Sequence, residues 1–97
     1  MTVFAVEYVY DAEFAEARNA TRPVHREWTA RLAEEGTILA SGPYGDGAGA
    51  LLIFKAADET ALNEILKQDP FAAAGVISGT RTTVWIPVAG LLAEHAA

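Results

Sequence analysis

The order of elements along this chain predicts an α+β fold, with four strands in one antiparallel sheet and two helices on one of its faces. Three observations predict it. Stretches rich in Val, Ile, Phe and Tyr recur at 2–10, 37–44, 48–56 and 76–88 and read as strands. Helical spacing of apolar residues lies between the first and second of these, and again between the third and fourth. Gly, Pro and Asp punctuate the junctions. The resulting order, β-α-β-β-α-β, is the split βαβ or ferredoxin-like arrangement.

The first strand, TVFAVEYVY, places Phe4, Val6, Tyr8 and Tyr10 on one face and Val3, Ala5, Glu7 and Val9 on the other. Residues 11–21 read as a connector with room for one helical turn. Thr21 is a candidate cap for the first helix, with Pro23 in its first turn and Gly36 just past its end. Val24, Trp28 and Leu32 recur every four residues and read as its buried stripe. TILASGPY then runs into a Gly/Pro turn continued by GDG at 45–47, and AGALLIFKA is the next strand. Asp58 caps the second helix, whose apolar face carries Leu62, Ile65 and Leu66. DPFAAAG reads as a turn, VISGTRTTVWIPV as the last strand, and 88–97 as a tail on a single 1–97 domain.

The first and third strands are apolar on both faces, as in a sheet covered on both sides. The chain offers no further element for the second face. A sheet-to-sheet homodimer is therefore expected.

The formal charge of −6 speaks against a nucleic-acid partner and against docking on an anionic membrane. No apolar run approaches the roughly 20 residues of a membrane span. With no cysteine, thiolate catalysis, disulfides and thiolate metal sites drop out, and a reducing cytoplasm fits. No basic segment followed by an apolar run opens the chain, so Asn19-Ala20-Thr21 reads as a chance sequon. SGPYGDG lacks the lysine and following helix of a phosphate loop, and two histidines with scattered acids form no metal pattern. No cofactor is expected.

The remaining candidates for chemistry are His25, Arg22, Asp69, Ser41 and Asp46. At ~100° per residue His25 falls at the edge of the apolar stripe, half-buried, with one ring nitrogen available for acid–base work. Arg22 is its neighbour on the polar side. Antiparallel packing of the two helices brings the end of the second to the start of the first. Asp69 can then reach His25, holding its tautomer and stabilising its protonated form. The same residues have plainer readings. Asp69 also reads as the cap of the PFAAAG turn, His25 as a boundary histidine, Arg22 as a solvated side chain, and Trp28 and Trp85 as core.

RPVHREWTARLAEEGTILASGPYGDGAGALLIF followed by DPFAAAGV resembles the YciI-like (YCII-related) family, small ferredoxin-like proteins of the dimeric α/β-barrel superfamily. The resemblance runs from about Val3 to Pro87. It rests on the order of Arg-x-x-His at 22–25, Ser-Gly-Pro at 41–43, and Asp-Pro-Phe at 69–71 with Gly75. It implies a His25–Asp69 pair in a cleft lined by Ser41, Gly42 and Pro43. It also implies chemistry of the isomerase, lyase or dehydrochlorinase kind on a small organic acid, lactone or ring compound.

Two functions follow from these readings. In one, His25 shuttles a proton without a cofactor, Asp69 orients it, and Arg22 attracts an anionic substrate. In the other, the same cleft is a non-catalytic small-ligand site in a dimeric accessory module. Fold alone does not choose between them.

Overall fold

The computed structural model describes residues 1–96. Strands β1 (Thr2–Val9), β2 (Ile38–Pro43), β3 (Gly49–Ala56) and β4 (Gly79–Val84) form one antiparallel sheet in the order β2-β3-β1-β4. Helix α1 (Ala15–Glu34) follows a 3₁₀ turn at Ala12–Phe14, and α2 (Glu59–Leu66) and the single-turn α3 (Pro70–Ala73) link β3 to β4. The ferredoxin-like fold expected from the sequence is the fold observed.

The core follows from strand alternation. Phe4, Val6 and Tyr8 of β1 and Ala50, Leu52, Phe54 and Ala56 of β3 point to one face. There they meet Trp28 and Leu32 of α1 and Leu62 of α2. On the opposite face Glu7 lies across from Arg81 and accepts a hydrogen bond from the Tyr44 hydroxyl at 2.8 Å. Val3 and Ile53 are buried on this second face within a single chain, while Leu51, Val9 and Trp85 remain exposed.

Helix α1 departs from expectation in two ways. It begins six residues before Thr21, whose hydroxyl donates to the Ala17 carbonyl instead of capping a terminus. Ala15–Ala20 holds good helix formers, which carry the helix through Pro23. Proline has no N–H, so its local cost is the bond the Asn19 carbonyl would have received. The buried stripe is also shifted. Trp28 and Leu32 are buried as expected, but Val24 is 53% exposed and the third buried residue is Arg18. A four-residue repeat drifts about 40° per turn on a helix of ~100° per residue, so two turns on it has left the interior.

Gly36 ends α1 at φ +83°, with Thr37 N–H donating to Leu32 O and Gly36 N–H to Ala33 O. This is the double closure that favours glycine after a helix. The last strand is shorter than expected, since its ladder stops at Val84 with one further bond from Trp85 N–H to Val3 O. The stretch read as a turn at 69–75 contains α3. Its start fixes where the chemistry sits.

Candidate functional site

Asp69 is the residue around which the site is built. It is 0% exposed, and three donors converge on it. Its Oδ1 accepts from Phe71 N–H at 2.9 Å and meets His25 Nδ1 at 2.7 Å, and its Oδ2 accepts from the Tyr8 hydroxyl at 2.8 Å. The Phe71 bond makes Asp69 the cap of α3, with Pro70 in the first turn. Helix α2 has already ended at Leu66, with Lys67 as its C-cap. The carboxylate therefore lies at the favourable N-terminal end of one helix, clear of the unfavourable end of the other. Capping and pairing coexist in one side chain.

A carboxylate only accepts, so the bond to His25 puts a proton on Nδ1, and in the neutral ring the lone pair is then on Nε2. Nε2 makes no hydrogen bond among the described residues and is not one of the buried unsatisfied atoms, so it reaches solvent. The imidazole stacks flat on Phe71, with centroids 3.9 Å apart and planes 4° apart. The ring is thus fixed by a bond along one edge and a face on Phe71. Only 12% of its side chain is exposed.

The exposed edge opens into a cleft of about 120 Å³ between α1, the end of β2 and α3. Arg22, Arg26 and Thr29 of α1 line it together with His25. Ser41, Gly42 and Pro43 of β2 form the opposite wall. Ala50, Tyr10 and Phe71 supply apolar surface, and the small Ala50 side chain leaves room above the sheet. All the residues singled out from sequence for one cleft thus lie around one cleft or directly behind it. Asp46 does not: it accepts from Ala48 N–H in the turn between β2 and β3. His95 lies in a 3₁₀ turn at Ala93–His95, beside Glu94, and Trp85 does not line the cleft.

Several contributors escaped the sequence reading. Tyr8 was legible only as core, although a buried phenol needs a partner for its hydroxyl. Burial, then the charge of Asp69, push the Tyr8 phenol far above its ordinary range, so it stays a donor. The same two causes raise Tyr10. Arg18 is buried beneath the cleft. Its guanidinium donates to Asp11 O at 2.8 Å and Val76 O at 3.2 Å and lies 4.6 Å from the Tyr10 ring centroid. Arg26 and Thr29 had a signal that went unused, because with Arg22 and His25 they follow i, i+3, i+4, i+7 spacing.

A family model described as the YCII-related domain matches residues 2–86. The chain belongs to this family. A relative from Emericella nidulans, "Derivative of benzaldehyde biosynthesis cluster protein C", is 32% identical over 84 residues, covering 75% of this chain and 86% of its own. Among solved structures, the chain is similar to 5-chloro-2-hydroxyhydroquinone dehydrochlorinase from Burkholderia phenoliruptrix AC1100, in complex with 2,5-dihydroxybenzoquinone. The TM-score is 0.74 at 22% identity, covering 86% of this chain and 92% of the other. A Bacteroides thetaiotaomicron protein assigned provisionally as an antibiotic biosynthesis monooxygenase superposes with a TM-score of 0.60 at 19% identity, covering 94% and 92%. At these identities the structural likeness speaks for the fold. No helix among the described residues is long and apolar enough to cross a membrane.

Proposed function

We propose that this chain is an enzyme that moves a proton on a small ring compound, with His25 as general base and Asp69 as its partner. One observation carries the reading. A fully buried carboxylate grips Nδ1 at 2.7 Å while Nε2 stays unbonded on a ring that lines a cleft. Proton uptake at Nε2 creates an imidazolium, and the adjacent carboxylate stabilises it. A positioned acid–base group of this kind contributes roughly 10²–10⁴-fold. Ser41, Gly42, Pro43 and Arg22 hold the substrate against the imidazole edge.

Isomerisation and elimination both begin with this step, and neither needs an external oxidant. In loss of HCl from a chlorinated hydroquinone, the ring first takes its keto form, with a hydrogen moved from oxygen to the chlorine-bearing carbon; a remaining hydroxyl O–H and the C–Cl bond then break, and the C=O and C=C π bonds of a quinone form. The proton goes to Nε2, and chloride leaves with its electron pair. Two relatives bear names that refer to a benzaldehyde derivative and to a chlorinated hydroquinone, which supports a hydroxylated ring as the substrate class here.

The test is chloride release from 5-chloro-2-hydroxyhydroquinone, run beside a panel of hydroxylated aromatic aldehydes and lactones followed by NMR. The parent turns over at least one of these compounds, and His25→Gln, folded by circular dichroism, loses at least 100-fold, the low end of what one such group contributes. Full turnover by the folded variant overturns the assignment. Tight binding without turnover across the panel replaces it with the non-catalytic ligand-binding reading.

The second face of the sheet belongs to the same proposal. Leu51, Val9 and Trp85 are exposed there beside the Glu7–Arg81 pair. A second copy of this single-domain chain covers them, and the dimer works in the cytoplasm on its small-molecule substrate.

A further inference from the structure

We infer that the cleft selects an anion: a small flat ring bearing a carboxylate or ionised hydroxyl, clamped by Arg22 and Arg26. The inference rests on the proton-transfer reading for its purpose, but its support is separate. The chain carries 13 acidic against 7 basic side chains, yet no Asp or Glu lines the cleft. Four of the lining residues bring N–H or O–H donors not spent elsewhere: Arg22, Arg26, Tyr10 and Ser41. Donors concentrated against the sign of the whole molecule mark a site for negative charge.

The arginines are also uncommitted. The Arg26 guanidinium makes no hydrogen bond or ion pair among the described residues, and the Arg22 guanidinium donates only to the neutral Asn19 side chain. They lie one turn apart on α1, at i and i+4, where two side chains can reach one group. The carboxylate behind the cleft makes no ion pair with them, because both oxygens of Asp69 are engaged by Tyr8, His25 and Phe71. A guanidinium gains most from a planar oxyanion that it can meet with two parallel N–H bonds.

Much of the remaining lining is apolar, from the rings of Tyr10 and Phe71 with Pro43 and Ala50. A bare inorganic anion leaves that surface uncovered. A ring fills it and sets its ionised group toward the arginines and an adjacent C–H or O–H toward Nε2. Tyr10, kept protonated by burial, is a further donor to the anion.

The experiment is calorimetric titration of the full chain with benzoate, its neutral isostere benzamide, and inorganic phosphate. Benzoate is expected to bind at least roughly tenfold tighter than benzamide, the ratio that one hydrogen bond to a charged group supplies. Arg26→Gln and Arg22→Gln, each checked for an unchanged fold, should lower benzoate affinity by about as much and leave benzamide unchanged. Equal binding of benzoate and benzamide, phosphate as tight as benzoate, or no benzoate binding at all would each overturn the inference. His25→Gln separates the two readings. A parent protein that turns over substrate, loses turnover in His25→Gln and shows no charge preference removes the anion alone. Turnover that survives His25→Gln beside an intact preference removes the general base alone.

Discussion

Tyr8→Phe is the most direct probe of the site, because it deletes one oxygen and changes nothing else in shape. The phenol is buried and donates to Asp69 Oδ2 at 2.8 Å. Oδ2 has no other donor among the described residues, and at 0% exposure Asp69 has no bulk water to turn to. A hydrogen bond to a charged group is worth about 1.5–3 kcal/mol, and an orphaned buried acceptor takes the loss to the upper half of that range. The expected destabilisation is about 2–3 kcal/mol. With a urea m-value of about 1.5 kcal/mol/M, the unfolding midpoint falls by about 1.3–2 M. The measurement is urea denaturation at one protein concentration, followed by fluorescence of the buried Trp28.

A second arm uses pH. The folded state holds Tyr8 protonated where the unfolded chain ionises at about pH 10. Between that pH and the raised folded value the native state carries the extra proton, so stability falls as pH rises. The contribution is fully present below about pH 10 and is lost above it, at up to about 1.4 kcal/mol per pH unit. Tyr8→Phe removes that part of the alkaline slope, leaving what Tyr10 adds. A loss under ~0.5 kcal/mol at neutral pH, within ordinary surface noise, or an unchanged slope from pH 10 to 11, would refute the reasoning.

Three more outcomes are expected. Phe71→Ala should cost about 3–5 kcal/mol in chemical denaturation, since it empties a buried ring site and removes the surface on which His25 stacks. A Cβ on Gly49 would overlap the carbonyl oxygen of Tyr8, so Gly49→Ala should lose about 1–3 kcal/mol. Gly79→Ala, whose Cβ would meet Val9 at an ordinary 3.6 Å, should stay within about 0.5 kcal/mol and serves as its control. Light scattering at micromolar concentration should give twice the 10.3 kDa chain mass, and a monomeric mass would remove the sheet-to-sheet dimer.

The fold was legible because strand alternation and helix spacing each need only one dominant face. Tyr8 and Leu52 face inward by period two, and Leu62 faces inward by period 3.6, without help from distant residues. Gly36 ended α1 where its permissive backbone said it would. The start of α1 was hidden because a proline and a capping-type threonine together imitate an N-terminus, while the residues before them have equal claim to helix. Arg18 was hidden for another reason: its burial is set by the Asp11 and Val76 carbonyls, and no local pattern records those. The His25–Asp69 pair was expected from the end of the second helix meeting the start of the first, but His25 lies mid-way along α1, and α3 is the element that brings Asp69 to it. Tyr8 as third partner was not expected, since register between β1 and α3 is a tertiary fact.

The charge left in the middle of this protein has a structural consequence. Burying a carboxylate costs several kcal/mol unless its lone pairs are met, and a hydrophobic core of the same volume would avoid that cost. Here the donors come from three separate parts of the chain: Tyr8 on β1, His25 on α1, and the Phe71 amide at the start of α3. The Phe71 amide is local to Asp69, but Tyr8 and His25 meet the carboxylate only when strand, long helix and second crossover have docked together. The hydrogen-bonded pair is therefore complete only in the finished fold, with Nδ1 held and Nε2 left open. A core built for stability alone would have no use for that arrangement, whereas a base that must present one nitrogen in one direction depends on it.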